Sequence, residues 1–186
     1  MEKKLFGTLP EGAEVSLYSF TNKNGMTMIV TELGASLVSL LVPDRDGNPV
    51  DVVLGYDTPQ EYLDGGCFFG AVIAPVGNRI DKGRFTIGEE TFQLPINDND
   101  NNLHSGPDGA DKRKWEVAGI DEEANSIAFH ILLPDGENGF PGNFDATMTY
   151  TLTDENELVF HYEATSDKDT IANMTNHTYF NLAGHA

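Results

Sequence analysis

The feature that most constrains this chain is a strict alternation of apolar and polar residues, repeated along its length. In residues 144–152, Phe144, Ala146, Met148, Tyr150 and Leu152 fall on one face, and Asp145, Thr147, Thr149 and Thr151 on the other. A period of two marks a strand with one buried face. Residues 126–133 repeat it through Ile127, Phe129, Ile131 and Leu133, and residues 157–164 through Leu158, Phe160, Tyr162 and Ala164. Asp154, Glu155 and Asn156 supply a short hairpin connection between residues 144–152 and 157–164. Earlier strands are expected at residues 14–20, 26–32, 36–42 and 50–54, with turns at Asn22-Lys23-Asn24-Gly25 and residues 44–49. A further hairpin is expected around Gly88 and Glu89. One helix start stands out, with the Thr58 hydroxyl, Pro59 at the first helical position and Glu61 completing a capping box; Gly65 and Gly66 stop it. The expectation is an all-β, antiparallel sandwich formed by one continuous domain over residues 1–186.

Composition narrows the function classes. With 39% hydrophobic residues, 11 Phe and 6 Tyr among 186 residues, a real core is available. A folded chain of this size hides roughly 70% of its unfolded surface. The 30 acidic and 11 basic residues give a net charge of -19, which repels phosphate backbones and anionic lipid. Nucleic acid and membrane are therefore excluded as partners. The longest cationic cluster, Lys112-Arg113-Lys114, sits between Asp111 and Glu116. Cys67 is the only cysteine, so neither a disulfide framework nor a thiolate zinc site can be built. Its neighbours Gly66, Phe68 and Phe69 read as core. No run approaches the ~20 apolar residues of a membrane span, and Gly7, Pro10 and Glu11 interrupt the N-terminus before a leader segment forms. A soluble, cytoplasmic location is expected.

Two polar stretches do not read as plain structure. Residues 96–109 form a long loop in which Asp98, Asp100 and Asn102 have the alternate spacing of a calcium loop. The required glycine is missing, and Gly109 stands where the bidentate glutamate belongs. Leu103 and His104 instead point to a histidine delivered by an anchored loop. Residues 173–182, read as a strand, place Asn173, Thr175, His177, Tyr179 and Asn181 on one face. Ala172, Met174, Phe180 and Leu182 lie on the other, with Asn176 and Thr178 between. A polar but uncharged face fits either a sugar or polyol ligand or an internal hydrogen-bonded network. Arg79, within Gly77-Asn78-Arg79-Ile80 and after the apolar run 68–76, is either an ion-pair partner or a ligand clamp. His130, His161 and His185 are assigned no role, the first two being expected at the surface. His104 and His177 have no third ligand at metal-site spacing, so no metal is expected.

Several segments in order resemble the aldose 1-epimerase (galactose mutarotase) family. They are Asn173-Met174-Thr175-Asn176-His177-Thr178-Tyr179-Phe180-Asn181-Leu182, Phe68-Phe69-Gly70-Ala71-Val72-Ile73, Gly77-Asn78-Arg79-Ile80, Gly83-Arg84-Phe85-Thr86, Asn102-Leu103-His104-Ser105-Gly106-Pro107 and residues 134–142, together with Asp111-Lys112-Arg113 and Trp115. The chain departs from the family at Ser105, where glycine is usual and the ligand's approach to the backbone is at stake. It departs again at residues 74–77, where the family reads Gly-Arg-Tyr/Val-Ala. The resemblance implies a large antiparallel β-sandwich, the galactose mutarotase-like supersandwich, of which these residues form the N-terminal part, truncated at its C-terminal end. It implies anomer interconversion of a small-molecule sugar such as galactose or glucose, without a cofactor. His177 would be the acid toward the ring oxygen, with His104 as second catalytic residue. Asn78, Arg79, Thr178 and Tyr179 would share the sugar site. A glutamate base and a sugar-binding aspartate map to no residue here. Strand edges left unpaired are expected to drive self-association or to require a complementary C-terminal segment.

Overall fold

The structure, a computed structural model, describes residues 1–184; His185 lies outside them. Five strands lead the chain: β1 (Glu2–Thr8), β2 (Glu14–Thr21), β3 (Thr27–Thr31), β4 (Leu37–Pro43) and β5 (Pro49–Asp51). They pair in sequence order as an antiparallel meander. Helix α1 (Pro59–Asp64) follows. Next come the short strands β6 (Val72–Ile73) and β7 (Arg79–Ile80), the hairpin of β8 (Arg84–Ile87) and β9 (Glu90–Gln93), and β10 (Asn102–Leu103). A second meander contains β11 (Glu116–Asp121), β12 (Ser126–Leu133), β13 (Phe144–Leu152) and β14 (Leu158–Ser166), and β15 (Thr175–Asn176) closes the series. The all-β, antiparallel expectation holds.

The alternating faces meet in one core. On β13 all five apolar side chains are buried, and on β12 Ile127, Phe129, Ile131 and Leu133 are buried too. They share a cluster with Tyr18, Phe20, Met28, Val30 and Leu37 of the first meander. The Tyr18 ring meets Phe129 edge-on at 6.2 Å. Each large apolar side chain buried in this way contributes about 1.5–3 kcal/mol. The sandwich is pinned at one end by Asn22, whose amide donates to the Thr153 carbonyl and to Asn156 Oδ1, both at 2.8 Å. The turns expected on either side of this contact are therefore joined to each other. Helix α1 begins as expected: Thr58 Oγ1 accepts from the Glu61 amide, and Glu61 Oε2 accepts from the Thr58 amide at 2.9 Å.

Several expectations are corrected. Strands β1 and β11 escaped the alternation test because neither has a buried face to impose it. β1 is mostly exposed, and β11 is exposed throughout with a bulge between Val117 and Gly119. Cys67 is exposed rather than in the core; the neighbouring Phe68 and Phe69 rings pack on aromatic side chains at the cleft described below. The run 68–76 yields only the two-residue β6, and residues 173–182 only the two-residue β15. That last segment changes partners midway. It bonds residues 70–77 through Asn173 and His177, then residues 52–54 through Tyr179 and Asn181. Phe180 and Leu182 are 54% and 84% exposed. His161 is exposed, whereas His130 is half-buried, with Nε2 3.0 Å from Asp145 Oδ1.

One buried hydroxyl ties this core to the residues around His177. Tyr150 Oη donates to the Ala35 carbonyl at 2.7 Å and accepts from Asn176 Nδ2 at 2.9 Å. Tyr150→Phe leaves a buried carbonyl without a donor, a loss of about 1–3 kcal/mol. Chemical denaturation of the variant should show that loss at an unchanged slope; an unchanged midpoint would contradict it.

Candidate active site

Three segments distant in sequence meet at one open cleft of about 660 Å³. β7 pairs with β10, which sets Arg79 opposite Leu103 and delivers His104 to the cleft. The His104 amide donates to the Asn78 carbonyl at 3.0 Å. In return, the Asn78 amide donates to His104 Nδ1 at 2.9 Å. Both residues hold left-handed backbone conformations, with φ of 52° at His104 and 64° at Asn78. Such non-glycine strain is tolerated only where surrounding contacts enforce it. β15 pairs with β6, and the His177 amide donates to the Ala71 carbonyl at 2.8 Å. Gly77 permits this close approach: a Cβ there would stand 2.8 Å from Thr175 Cγ2.

Asn176 anchors the stretch that carries His177. Its amide nitrogen donates to the Gly70 carbonyl at 2.8 Å and to Tyr150 Oη. Its oxygen accepts from the Thr178 amide at 3.0 Å and from the Thr178 hydroxyl. With all its donors and acceptors engaged, Asn176 turns inward and holds the backbone on both sides of residue 177. The reading of this polar stretch as an internal hydrogen-bonded network is met at Asn176 and Thr178. Both residues also line the cleft, with His177, Tyr179, Asn78, Arg79 and His104.

The two imidazoles stand at right angles with centroids 4.9 Å apart. Phe68 packs on both, 4.7 Å from His104 and 5.5 Å from His177, and Tyr179 lies 5.3 Å from His177. Burial, followed by the His177 and Arg79 charges, pushes the His104 pKa down to about 4. A neutral imidazole whose Nδ1 accepts a hydrogen bond carries its proton on Nε2. His104 is therefore a fixed donor at neutral pH.

Arg79 is an ion-pair partner that also lines the cleft. Its Nε donates to Asp98 Oδ2 at 2.6 Å, and Nη1 to Asn78 Oδ1 at 3.4 Å. Among the described residues no three His, Cys, Asp or Glu side chains gather as a metal site would require, and no carboxylate lines the cleft. Ser105 turns away from it: the buried hydroxyl donates to the Val76 carbonyl and accepts from the Val76 amide, each at 2.9 Å. The departure from glycine at Ser105 therefore braces the loop instead of meeting a ligand. Sequence reasoning missed Phe68, Asp98 and the anchoring role of Asn176. Phe68 gave no periodic signal, and Asp98 was weighed only as a calcium ligand.

The His104 geometry has a direct spectroscopic consequence. A histidine neutral in the folded state and titrating near 6.5 when unfolded favours folding fully above pH 6.5. That contribution erodes as the pH falls toward about 4, because the unfolded chain then binds the proton first. Long-range ¹H–¹⁵N NMR of the imidazoles should show His104 as the Nε2–H tautomer from pH 8 down to about 5. A His104 ring titrating near pH 6.5 would contradict the geometry.

Comparison with known proteins places these residues in a family. The model of the family described as aldose 1-epimerase matches residues 16–186. Aldose 1-epimerase of Escherichia coli is 40% identical over 175 residues, which cover 94% of this chain and 50% of that protein. Galactose mutarotase of Mus musculus is 41% identical over 182 residues, covering 98% and 52%. The solved GalM/aldose epimerase homologue from C. elegans superposes with a TM-score of 0.87 at 32% identity, over 92% of this chain and 52% of that one. Galactose 1-epimerase from Lactobacillus acidophilus NCFM gives 0.84 at 32% identity, over 97% and 53%. The chain spans about half the length of the curated relatives it matches. With its family model matched over most of its residues, the chain belongs to the aldose 1-epimerase family.

Proposed function

We propose that this chain contributes the sugar-binding and acid side of an aldose 1-epimerase site, interconverting the α and β anomers of a hexose such as galactose or glucose. The observation that carries the reading is the pair of perpendicular imidazoles, 4.9 Å apart, beside one guanidinium in a polar cleft. The cleft volume, about 660 Å³, falls within the roughly 300–1,000 Å³ typical of small-molecule sites.

In the reaction, the anomeric hydroxyl loses its proton as C1=O1 forms, the C1–O5 bond breaks, and O5 takes up a proton. Rotation about C1–C2 and reclosure give the other anomer. His177 donates the proton to O5. His104, a fixed Nε2–H donor, holds a sugar oxygen on which charge develops. Asn78 and Arg79 bind hydroxyls, and Thr178 and Tyr179 complete the wall. Removing the proton from O1 needs a base, and among the described residues no carboxylate lines the cleft. We assign that base to a complementary C-terminal segment, in keeping with relatives about twice as long as this chain.

Polarimetry of α-galactose equilibration tests this reading, using the protein with the complementary segment present. His177→Asn should lower kcat by ~10²–10⁴-fold with little change in KM, as loss of positioned acid catalysis does. Arg79→Ala should raise KM as well as lower kcat. Sugar binding with no turnover even when the segment is present would favour a recognition module over an enzyme. Equal loss of affinity in both variants with kcat intact would contradict the role given to His177.

A further inference from the structure

We infer that Asp98 is a positioning residue for sugar binding, holding the Arg79 guanidinium so that its outer nitrogens face the ligand. This rests on the functional reading above and adds to it a group from outside the cleft wall. Asp98 Oδ2 takes the Arg79 Nε hydrogen at 2.6 Å, and Asn78 Oδ1 takes one Nη1 hydrogen at 3.4 Å. An arginine side chain has five N–H donors in a rigid plane. Two are directed at protein acceptors by these contacts. The three others include both hydrogens of Nη2, and among the described residues no acceptor takes them. A planar donor fixed at its inner edge presents its outer edge in one orientation, suited to a pair of sugar hydroxyls.

The loop that carries Asp98 is built independently of this contact. Asn97 Oδ1 accepts from the Leu103 amide at 2.7 Å, and Asn97 Nδ2 donates to the Leu103 carbonyl at 2.9 Å. The amides of Asp98 and Asn101 each donate to the other's carbonyl, at 3.1 and 2.9 Å. Asn101 Oδ1 also accepts from the Lys82 amide at 3.3 Å. The loop therefore offers its carboxylate from a frame that would remain without it. The Arg79 side chain is 52% exposed, and ion pairs in water contribute little to folding. The consequence of the pair is orientation of the guanidinium.

A double-mutant cycle on galactose affinity tests this, with Kd read by NMR titration and melting temperature recorded for each variant. Asp98→Ala should weaken binding roughly tenfold, the low end for a charge-assisted hydrogen bond, with the melting temperature nearly unchanged. Asp98→Asn, which keeps an oxygen for Nε–H, should recover much of the affinity. In an Arg79→Ala background, Asp98→Ala should have no further effect. Full affinity of Asp98→Ala alongside weakened Arg79→Ala would overturn the inference and leave the functional reading intact. So would equal effects of Asp98→Ala in both backgrounds, or a loss of binding that tracks a fallen melting temperature. Absence of galactose binding by the unmodified protein, or an Arg79→Ala variant of unchanged affinity, would overturn the functional reading and this inference with it.

Discussion

The Tyr150 hydroxyl stands at the junction on which the site depends. Tyr150 is fully buried on β13, where alternation has already committed it to the core. Its oxygen reaches the Ala35 carbonyl on one side and the Asn176 amide on the other. Burial raises its pKa well above the ordinary phenol value, so the hydroxyl remains a donor. Sheet packing is thereby transmitted to the peptide on either side of His177 through a short chain of satisfied hydrogen bonds. A satisfied buried network of this kind specifies one arrangement, since an alternative would leave polar groups without partners. The second imidazole is fixed separately, by the reciprocal bonds between Asn78 and His104.

These two anchors give the histidines different chemistry. His104 has one nitrogen occupied by a main-chain donor and a pKa pushed down to about 4, so it offers a hydrogen bond and keeps its proton. His177 is held through its backbone and its neighbours, which leaves its ring free to serve the ligand in the proposed reaction. The aromatic side chains extend this support outward. Tyr62 of α1 meets Tyr56 at 5.3 Å, Tyr56 meets Phe69 at 4.9 Å, and Phe69 meets Tyr179 at 5.2 Å. The short capped helix thus buttresses one cleft wall at a distance. The local cation at Arg79 sits in a strongly acidic protein, yet its own carboxylate partner lies outside the cleft lining. The surface that would face a sugar is consequently rich in neutral donors and acceptors.

The parts of the fold legible in the sequence are those where burial acts on one face of a strand. β12 and β13 show this most clearly, and the Thr58–Glu61 capping box was legible for its own local reason. β1 and β11 were not, because an exposed edge leaves no alternation to read. In the site, His104, His177 and Arg79 stood out as chemical groups in unusual surroundings, and the family motifs supplied their connection. What spacing could not convey was partnership across the fold. Asp98 lies 19 residues from Arg79, and Asn176 lies 26 from Tyr150. Phe68 reads as part of an apolar run until the loop places its ring against both imidazoles.

In the proposed reaction this cleft binds a hexose between an acid, His177, and a fixed donor, His104. A crystal structure of the protein with galactose bound tests it most directly. The ring oxygen O5 should lie within about 2.6–3.2 Å of the His177 imidazole, with His104 Nε2 and the outer edge of Arg79 on other sugar oxygens. Galactose bound elsewhere, or bound in the cleft with neither imidazole in contact, would contradict it.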